Sequence, residues 1–230
     1  MHRYTRLSIL LVVVALLAGC GTASAQNATS HPLPRALLFI GDSLTGGYYA
    51  TDQTHDYVAH VTADLGLPAL YLSKHYGIRA DEVQAEIQHG LAIPPARITV
   101  VELGTNDFSG YSLVGAHTPE GLAAFTTAYR ALLGEIRHVA PSTRLVCIGI
   151  WHVPGDTNDL HETAGSYDQH IASACQAAHG TYVSLEAIAA NGAYRGPVGQ
   201  HTWLGLNDGW HPNDAGHTAI AAAIVHVLGH

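Results

Sequence analysis

Apolar and polar positions follow two different periods along this chain, and the changes of period mark out its elements. Five short stretches, 36–41, 67–72, 97–103, 144–150 and 181–185, read as strands, and the first, third and fourth are nearly continuous apolar runs. Short runs without alternation are the pattern of parallel strands covered on both faces. Helix-patterned stretches lie between them at about 53–65, 80–90, 119–139 and 163–179, with a last one at 213–228. In the third, Leu122, Phe125, Tyr129, Leu132, Leu133 and Ile136 fall at steps of three and four, which makes one apolar stripe. Thr118 before Pro119 is an N-cap followed by proline at the first helical position, and Pro141 closes the helix. Strand and helix alternate five times, which predicts an α/β fold: a three-layer α/β/α sandwich on a five-stranded parallel sheet.

No internal repeat or low-complexity tract interrupts this order, so residues 36–230 are expected to form one domain. Three connections are long: 106–118, 151–162 and 186–212. The first two follow the carboxyl ends of strands, where open parallel sheets carry their ligands. Loops of this length in a compact domain are usually functional.

The first 20 residues have a different character. Arg3 and Arg6 give a positive start, and Leu7 to Ala18 form an apolar core. That core is shorter than the roughly 20 residues a membrane helix needs, and it reads as an export signal. It ends Leu17-Ala18-Gly19-Cys20, which resembles the lipobox of bacterial lipoproteins and marks Cys20 for diacylation. Cleavage after Ala23-Ser24-Ala25 is the competing reading and gives a secreted protein. The lipoprotein is preferred because the cysteine falls at the required position. Two acyl chains would suffice for stable attachment to a membrane. Residues 21–35 are small, polar and proline-bearing, and read as a tether.

Composition narrows the partners. The formal net charge is −8 and Lys74 is the sole lysine, so no basic patch for nucleic acid exists. Histidines number 17 but are scattered, with no His-Glu-x-x-His and no Cys-x-x-Cys, so neither a metal nor another cofactor is expected. Cys147 falls in a strand and Cys175 on a helix that could pack over it. They could pair in an oxidising compartment, but two buried free thiols are the preferred expectation.

Chemistry concentrates at three places. Ser43 lies in Gly41-Asp42-Ser43-Leu44, directly after the first apolar run. A serine there ordinarily marks only a turn, yet its hydroxyl would sit at the rim of the sheet among free backbone amides. Gly104-Thr105-Asn106-Asp107 follows the third strand, and Asp208-Gly209-Trp210-His211 lies near the C-terminus. His211 can take the proton of Ser43, and Asp208, three residues earlier, can reach the other ring nitrogen. Asn106 offers a neutral donor to an oxyanion. Asp42 and Asp107 are expected to pin their loops through nearby amides, while Leu44 and Trp210 pack around the site, with Trp210 able to shield His211 from water.

These three blocks, in this order, resemble the SGNH (GDSL) hydrolases, and the resemblance covers essentially all of residues 36–228. It implies the flavodoxin-like sandwich already expected, with Ser43, Asp208 and His211 catalytic. It also implies an oxyanion hole of the Ser43 and Gly77 backbone amides and the Asn106 side chain. Gly77, in Lys74-His75-Tyr76-Gly77, is the match to the remaining block, although its flanks depart from the commoner Asn- and Gly-rich pattern. No Gly-x-Ser-x-Gly elbow occurs, which disfavours the α/β-hydrolase arrangement.

The activity expected is extracytoplasmic hydrolysis of carboxylic esters. The family admits lipids, aryl esters, thioesters and O-acetylated sugars. Short acyl groups are favoured because no apolar helical lid is evident, and because loop 191–207 carries Tyr194, His201 and Trp203, which could stack on a sugar ring. Packing of that loop onto the body is the simpler role for the same aromatics. The stretch Leu103 to Phe108 also looks like its counterpart in some carbohydrate acetyl esterases. The alternatives are a lipolytic esterase or thioesterase, an enzyme passing the acyl group to a sugar, and a non-catalytic surface protein that holds a glycan.

Overall fold

A computed structural model describes residues 33–109, 118–153 and 161–230. The expected export signal, Cys20 and most of the expected tether lie outside the described residues, as do parts of the connections at 106–118 and 151–162. The sheet has β1 (Leu37–Gly41), β2 (Ala69–Lys74), β3 (Ile98–Glu102), β4 (Arg144–Ile148) and β5 (Thr181–Val183), all parallel in the order β2-β1-β3-β4-β5. Helices α1 (Tyr57–Leu65) and α7 (Asp214–Val227) pack together on one face, and α2 (Ala80–Gln88), α4 (Pro119–Val139) and α5 (His161–Ala177) pack on the other. The expected three-layer sandwich is the observed fold.

Residue parity explains why the strands are apolar throughout. Leu38, Ile40, Val101 and Cys147 enter the core under α2, α4 and α5, whereas Leu37, Phe39, Val100 and Val146 enter the core under α1 and α7. Every residue of β1 and β3, and all of β4 after Arg144, is therefore covered whichever way it points. The chain runs outward from β1 to β2, then returns past β1 to β3. That reversal opens a crevice between the carboxyl ends of β1 and β3, the place where such sheets hold ligands.

Several boundaries differ from the sequence expectation. β2 begins two residues late, after Pro68, and runs on through Ser73 and Lys74. It is an edge strand with a bulge opposite Phe39 and Ile40, so it tolerates polar residues that an interior strand would not. α1 starts at Tyr57 because Asp56 caps it, accepting from the Ala59 N–H at 2.6 Å. The preceding residues instead form a turn in which Asp52 accepts from the Thr54 N–H. Short helices α3 (Thr105–Ser109) and α6 (Glu186–Ala190), a 3-10 turn at Gly192–Tyr194 and a small hairpin of β6 (His201–Thr202) and β7 (Gly205–Leu206) fill the long connections. At the start of α4, Thr118 accepts from the Gly121 N–H and Pro119 opens the helix, as expected.

The expectation of two free thiols is corrected. Cys147 on β4 and Cys175 on α5 form a disulfide with Cα atoms 6.0 Å apart, and both are fully buried. The bond ties a central strand to the helix that covers it. A separation of 28 residues corresponds to about 3.5 kcal/mol of stabilisation in the chain-entropy account.

Candidate active site

The nucleophile candidate sits in a turn set by its neighbours. β1 ends at Gly41, and the chain folds back at once: the Gly46 N–H donates to the Asp42 carbonyl and the Tyr48 N–H to the Ser43 carbonyl. Asp42 fixes the turn from inside, its Oδ1 accepting from the Leu44 N–H at 3.0 Å. Gly41 is required by close approach, since a Cβ there would lie 2.7 Å from the Thr45 Cβ and 2.8 Å from the Glu102 carbonyl oxygen. Ser43 emerges buried but not sealed, and Leu44 is packed into the core.

His211 reaches this serine from the far end of the chain. Its Nε2 lies 3.3 Å from Ser43 Oγ, and its Nδ1 lies 2.7 Å from Asp208 Oδ2. Asp208 Oδ1 also accepts from the N–H groups of Trp210 and His211, so the three-residue spacing closes a small ring of bonds around one carboxylate. Burial acts to raise the Asp208 carboxyl, but the His211 ring and these amides outweigh it and hold it down at about 2. An ionised Asp208 takes the Nδ1–H and leaves Nε2 facing Ser43 as an acceptor.

The imidazole is held between aromatic rings. Tyr49 lies 4.6 Å away between centroids and Trp210 meets the ring edge-on at 4.8 Å. Trp210 is itself anchored, its carbonyl accepting from Trp151 Nε1 at 2.8 Å. Tyr49 has φ +66°, an uncommon conformation for a residue other than glycine that occurs here beside the reactive groups.

α7 is bolted to the loop that carries Ser43. Asp214 accepts from the N–H and hydroxyl of Thr51, both at 2.7 Å. His217, fully buried, accepts from the Tyr57 N–H and donates to the Tyr48 carbonyl, each at 3.3 Å. Burial lowers its pKa to about 4, so this ring is a neutral structural link.

The third group comes from β3 and α3. Asn106 Nδ2 donates to Asp42 Oδ2 at 2.7 Å and to the Ile78 carbonyl at 3.1 Å. The amide therefore joins the nucleophile turn to the loop containing Gly77. Gly77 has φ +76°, a left-handed conformation that glycine takes without strain. Among the described residues, the backbone N–H groups of Ser43 and Gly77 make no hydrogen bond. Asp107 is turned away from Ser43. Its Oδ2 accepts from the Ala80 N–H at the start of α2, and burial pushes its carboxyl up to about 7. It pins two elements together, the role expected from the sequence.

The structure thus brings together Ser43, Asp42, Asn106, Asp208 and His211, with Trp210 alongside and the Gly77 loop on the opposite rim. Of the aromatics on loop 191–207, Trp203 reaches the site. Its Nε1 donates to the Gly47 carbonyl at 2.8 Å, and its ring meets Tyr48 edge-on, while Tyr48 stacks on Tyr76 at 5.5 Å. Trp203 therefore packs the hairpin down and still leaves surface open to solvent. A cleft of about 480 Å³ lies along the same rim, between Tyr76 and Gly77 on one side and Glu82 and Glu86 on the other. Among the described residues no group of three or more His, Cys, Asp or Glu side chains is disposed to hold a metal ion.

Sequence reasoning missed Glu102. It ends β3 and is buried, with Oε2 accepting from Thr45 Oγ1 at 3.0 Å and from the Asp42 N–H at 3.3 Å. Its signal was present: a carboxyl inside an otherwise apolar strand is costly unless it is held. The aromatic rim of Tyr48, Tyr49 and Tyr76 was also missed, because Tyr76 comes from a different loop than Tyr48 and Tyr49.

Comparison with known proteins agrees with this geometry. Residues 39–219 match the GDSL-like lipase/acylhydrolase family. No curated protein matches the chain. Among solved structures, TesA shares the fold with a TM-score of 0.63 and 17% identity, over 84% of this chain and 98% of its own. An acetylxylan esterase from Geobacillus stearothermophilus gives 0.63 and 20%, over 86% and 95%. The psychrotrophic esterase EstA from Pseudoalteromonas sp. gives 0.62 and 15%, over 85% and 100%. With the family match spanning most of the chain, this protein belongs to the GDSL-like lipase/acylhydrolase family and is a carboxylic-ester hydrolase.

Proposed function

We propose that the protein removes short acyl groups, acetyl above all, from hydroxylated substrates such as carbohydrates, through an acyl-enzyme on Ser43. The observation that carries this reading is the unbroken line from Ser43 Oγ to His211 Nε2 and from His211 Nδ1 to Asp208. His211 takes the serine proton as Ser43 Oγ attacks the ester carbonyl, then returns it to the leaving alcohol. Water, deprotonated by the same ring, releases the acid. Asp208 holds the tautomer and stabilises the imidazolium without taking the proton. The Ser43 and Gly77 amides receive the oxyanion, and Asn106 contributes by turning toward it the hydrogen now directed at Ile78, the longer of its two bonds.

The rim supports this substrate class. A ring or oligosaccharide can lie against Tyr76 and Trp203, and the adjoining cleft presents the carboxylates of Glu82 and Glu86. Carboxylates beside a groove suit hydroxyl groups and oppose a long acyl chain. The fold shared with an acetylxylan esterase supports the same choice. Rates on p-nitrophenyl esters from acetate to dodecanoate should peak at acetate, and acetate should be released from acetylated xylo-oligosaccharides. A maximum at long chains, or intact oligosaccharide acetate, would sink the deacetylase reading in favour of a lipolytic one.

The same proposal has the reaction outside the cytoplasm, with the protein held to a membrane through a diacylated Cys20. The basis is the leader sequence, from Arg3 to the Leu17–Cys20 lipobox. Mass spectrometry of the mature N-terminus should find a lipid-modified Cys20. An unmodified terminus at Gln26 would replace the anchored form with a secreted one.

A further inference from the structure

Beneath Ser43 lie two carboxyl groups that the reaction above does not use. Asp42 and Glu102 are both buried, and no salt bridge reaches either among the described residues. They are nevertheless adjacent, because Glu102 Oε2 accepts from the Asp42 N–H at 3.3 Å. Two buried carboxylates side by side repel and have only acceptors to offer each other, and one proton held by the pair removes that repulsion. The remaining partners locate it. Asp42 is committed as an acceptor on both oxygens, to the Leu44 N–H and to Asn106 Nδ2. Glu102 Oε2 likewise accepts, from Thr45 and from the Asp42 N–H, whereas Glu102 Oε1 is buried with no hydrogen-bond partner among the described residues. An O–H at Oε1 resolves that orphan.

We infer that Glu102 is a positioning residue, a neutral acid whose proton is shared with Asp42 so that the pair carries one negative charge. That charge clamps the Asn106 amide and the Ser43–Leu44 turn. The site then keeps a single anionic acceptor next to the nucleophile in place of two mutually repelling ones. Burial, followed by the charge of Asp42, pushes the Glu102 carboxyl well above its ordinary range, in agreement with the geometry. The titratable groups facing the pair are Tyr57 from α1, Tyr129 from α4 and His211 from the segment ahead of α7. Tyr57 closes the network by hydrogen bonding to Thr45 at 2.7 Å.

The inference rests on the ester-hydrolase reading for its kinetic arm but not for its spectroscopic one. Glu102→Gln keeps a neutral donor, and Glu102→Leu keeps the volume and loses it. The glutamine variant should retain kcat within about threefold, and the leucine variant should lose tenfold or more in kcat with KM little changed. Equal losses in the two would overturn the proposal. Infrared difference spectra of wild type against Glu102→Gln, buffered alkaline of the value of about 7 for Asp107, should show a protonated-carboxylic-acid carbonyl band that the substitution removes. A wild-type protein without that band would overturn it whether or not Glu102→Leu folds and whatever the natural substrate is.

Discussion

Ser43→Ala should reduce ester hydrolysis by a factor on the order of 10⁶, to the level that binding and the oxyanion donors alone can support. In the proposed mechanism the hydroxyl is the atom that bonds to the acyl carbon, and among the described residues no other serine, threonine or cysteine side chain meets an imidazole whose second nitrogen is held by a separate carboxylate contact in this way. The substitution is also mild for the fold. The Ser43 hydroxyl meets His211 at a long 3.3 Å, so the alanine variant should unfold within a few degrees of the wild type by calorimetry. His211→Ala should lose a similar factor. Combining the two should lose little more, because the residues act as a unit. A fluorophosphonate probe should label the wild type at Ser43 and leave the alanine variant unlabelled. Turnover by a folded Ser43→Ala protein would remove the assignment of the nucleophile, and an unlabelled wild type that still binds glycans would restore the non-catalytic reading.

Asn106→Ala carries the next largest effect, a drop on the order of 10²–10³ in kcat with KM changed only a few-fold. Its side chain has two separable duties. It donates to the buried Asp42 and to the Ile78 carbonyl in the resting site, and it is proposed to donate to the oxyanion during reaction. Loss of the first duty costs stability, about 1–3 kcal/mol, because an anionic acceptor is left short of a donor. Loss of the second slows the chemical step in protein that remains folded. Measurements well below the variant's melting temperature separate the two. If kcat of the folded variant stays within tenfold of the wild type, Asn106 is a strut and the oxyanion rests on backbone amides.

The sheet was legible because its strands are buried on both faces, so burial alone writes them as apolar runs. Helix α4 was legible from a cap, a proline and a stripe. β2 was displaced because an edge strand obeys neither rule, and Ser73 and Lys74 look like loop residues until their partner strand is seen. The serine, histidine and aspartate were found through local spacing, such as Asp208-x-x-His211, which builds its own ring of bonds. Contacts made only by the fold left no such mark. The disulfide depends on α5 lying over β4, and the rim of Tyr48, Tyr49, Tyr76 and Trp203 is assembled from three loops. Glu102 was visible as a letter but was absorbed into its strand. Only the neighbouring Asp42, 60 positions away, shows why a carboxyl belongs there.

The two bolts between α7 and the nucleophile loop, Thr51 to Asp214 and His217 to Tyr48 and Tyr57, bear on when the enzyme becomes active during its own synthesis. Ser43 and His211 are 168 positions apart, so the nucleophile emerges from the ribosome long before its base. Until α7 docks, Ser43 has no proton acceptor and the loop that carries it lacks its fastenings. Hydrolysis therefore requires α7 to be docked, and activity reports that the domain has closed around Ser43. Chains in which α7 is undocked should stay silent toward esters.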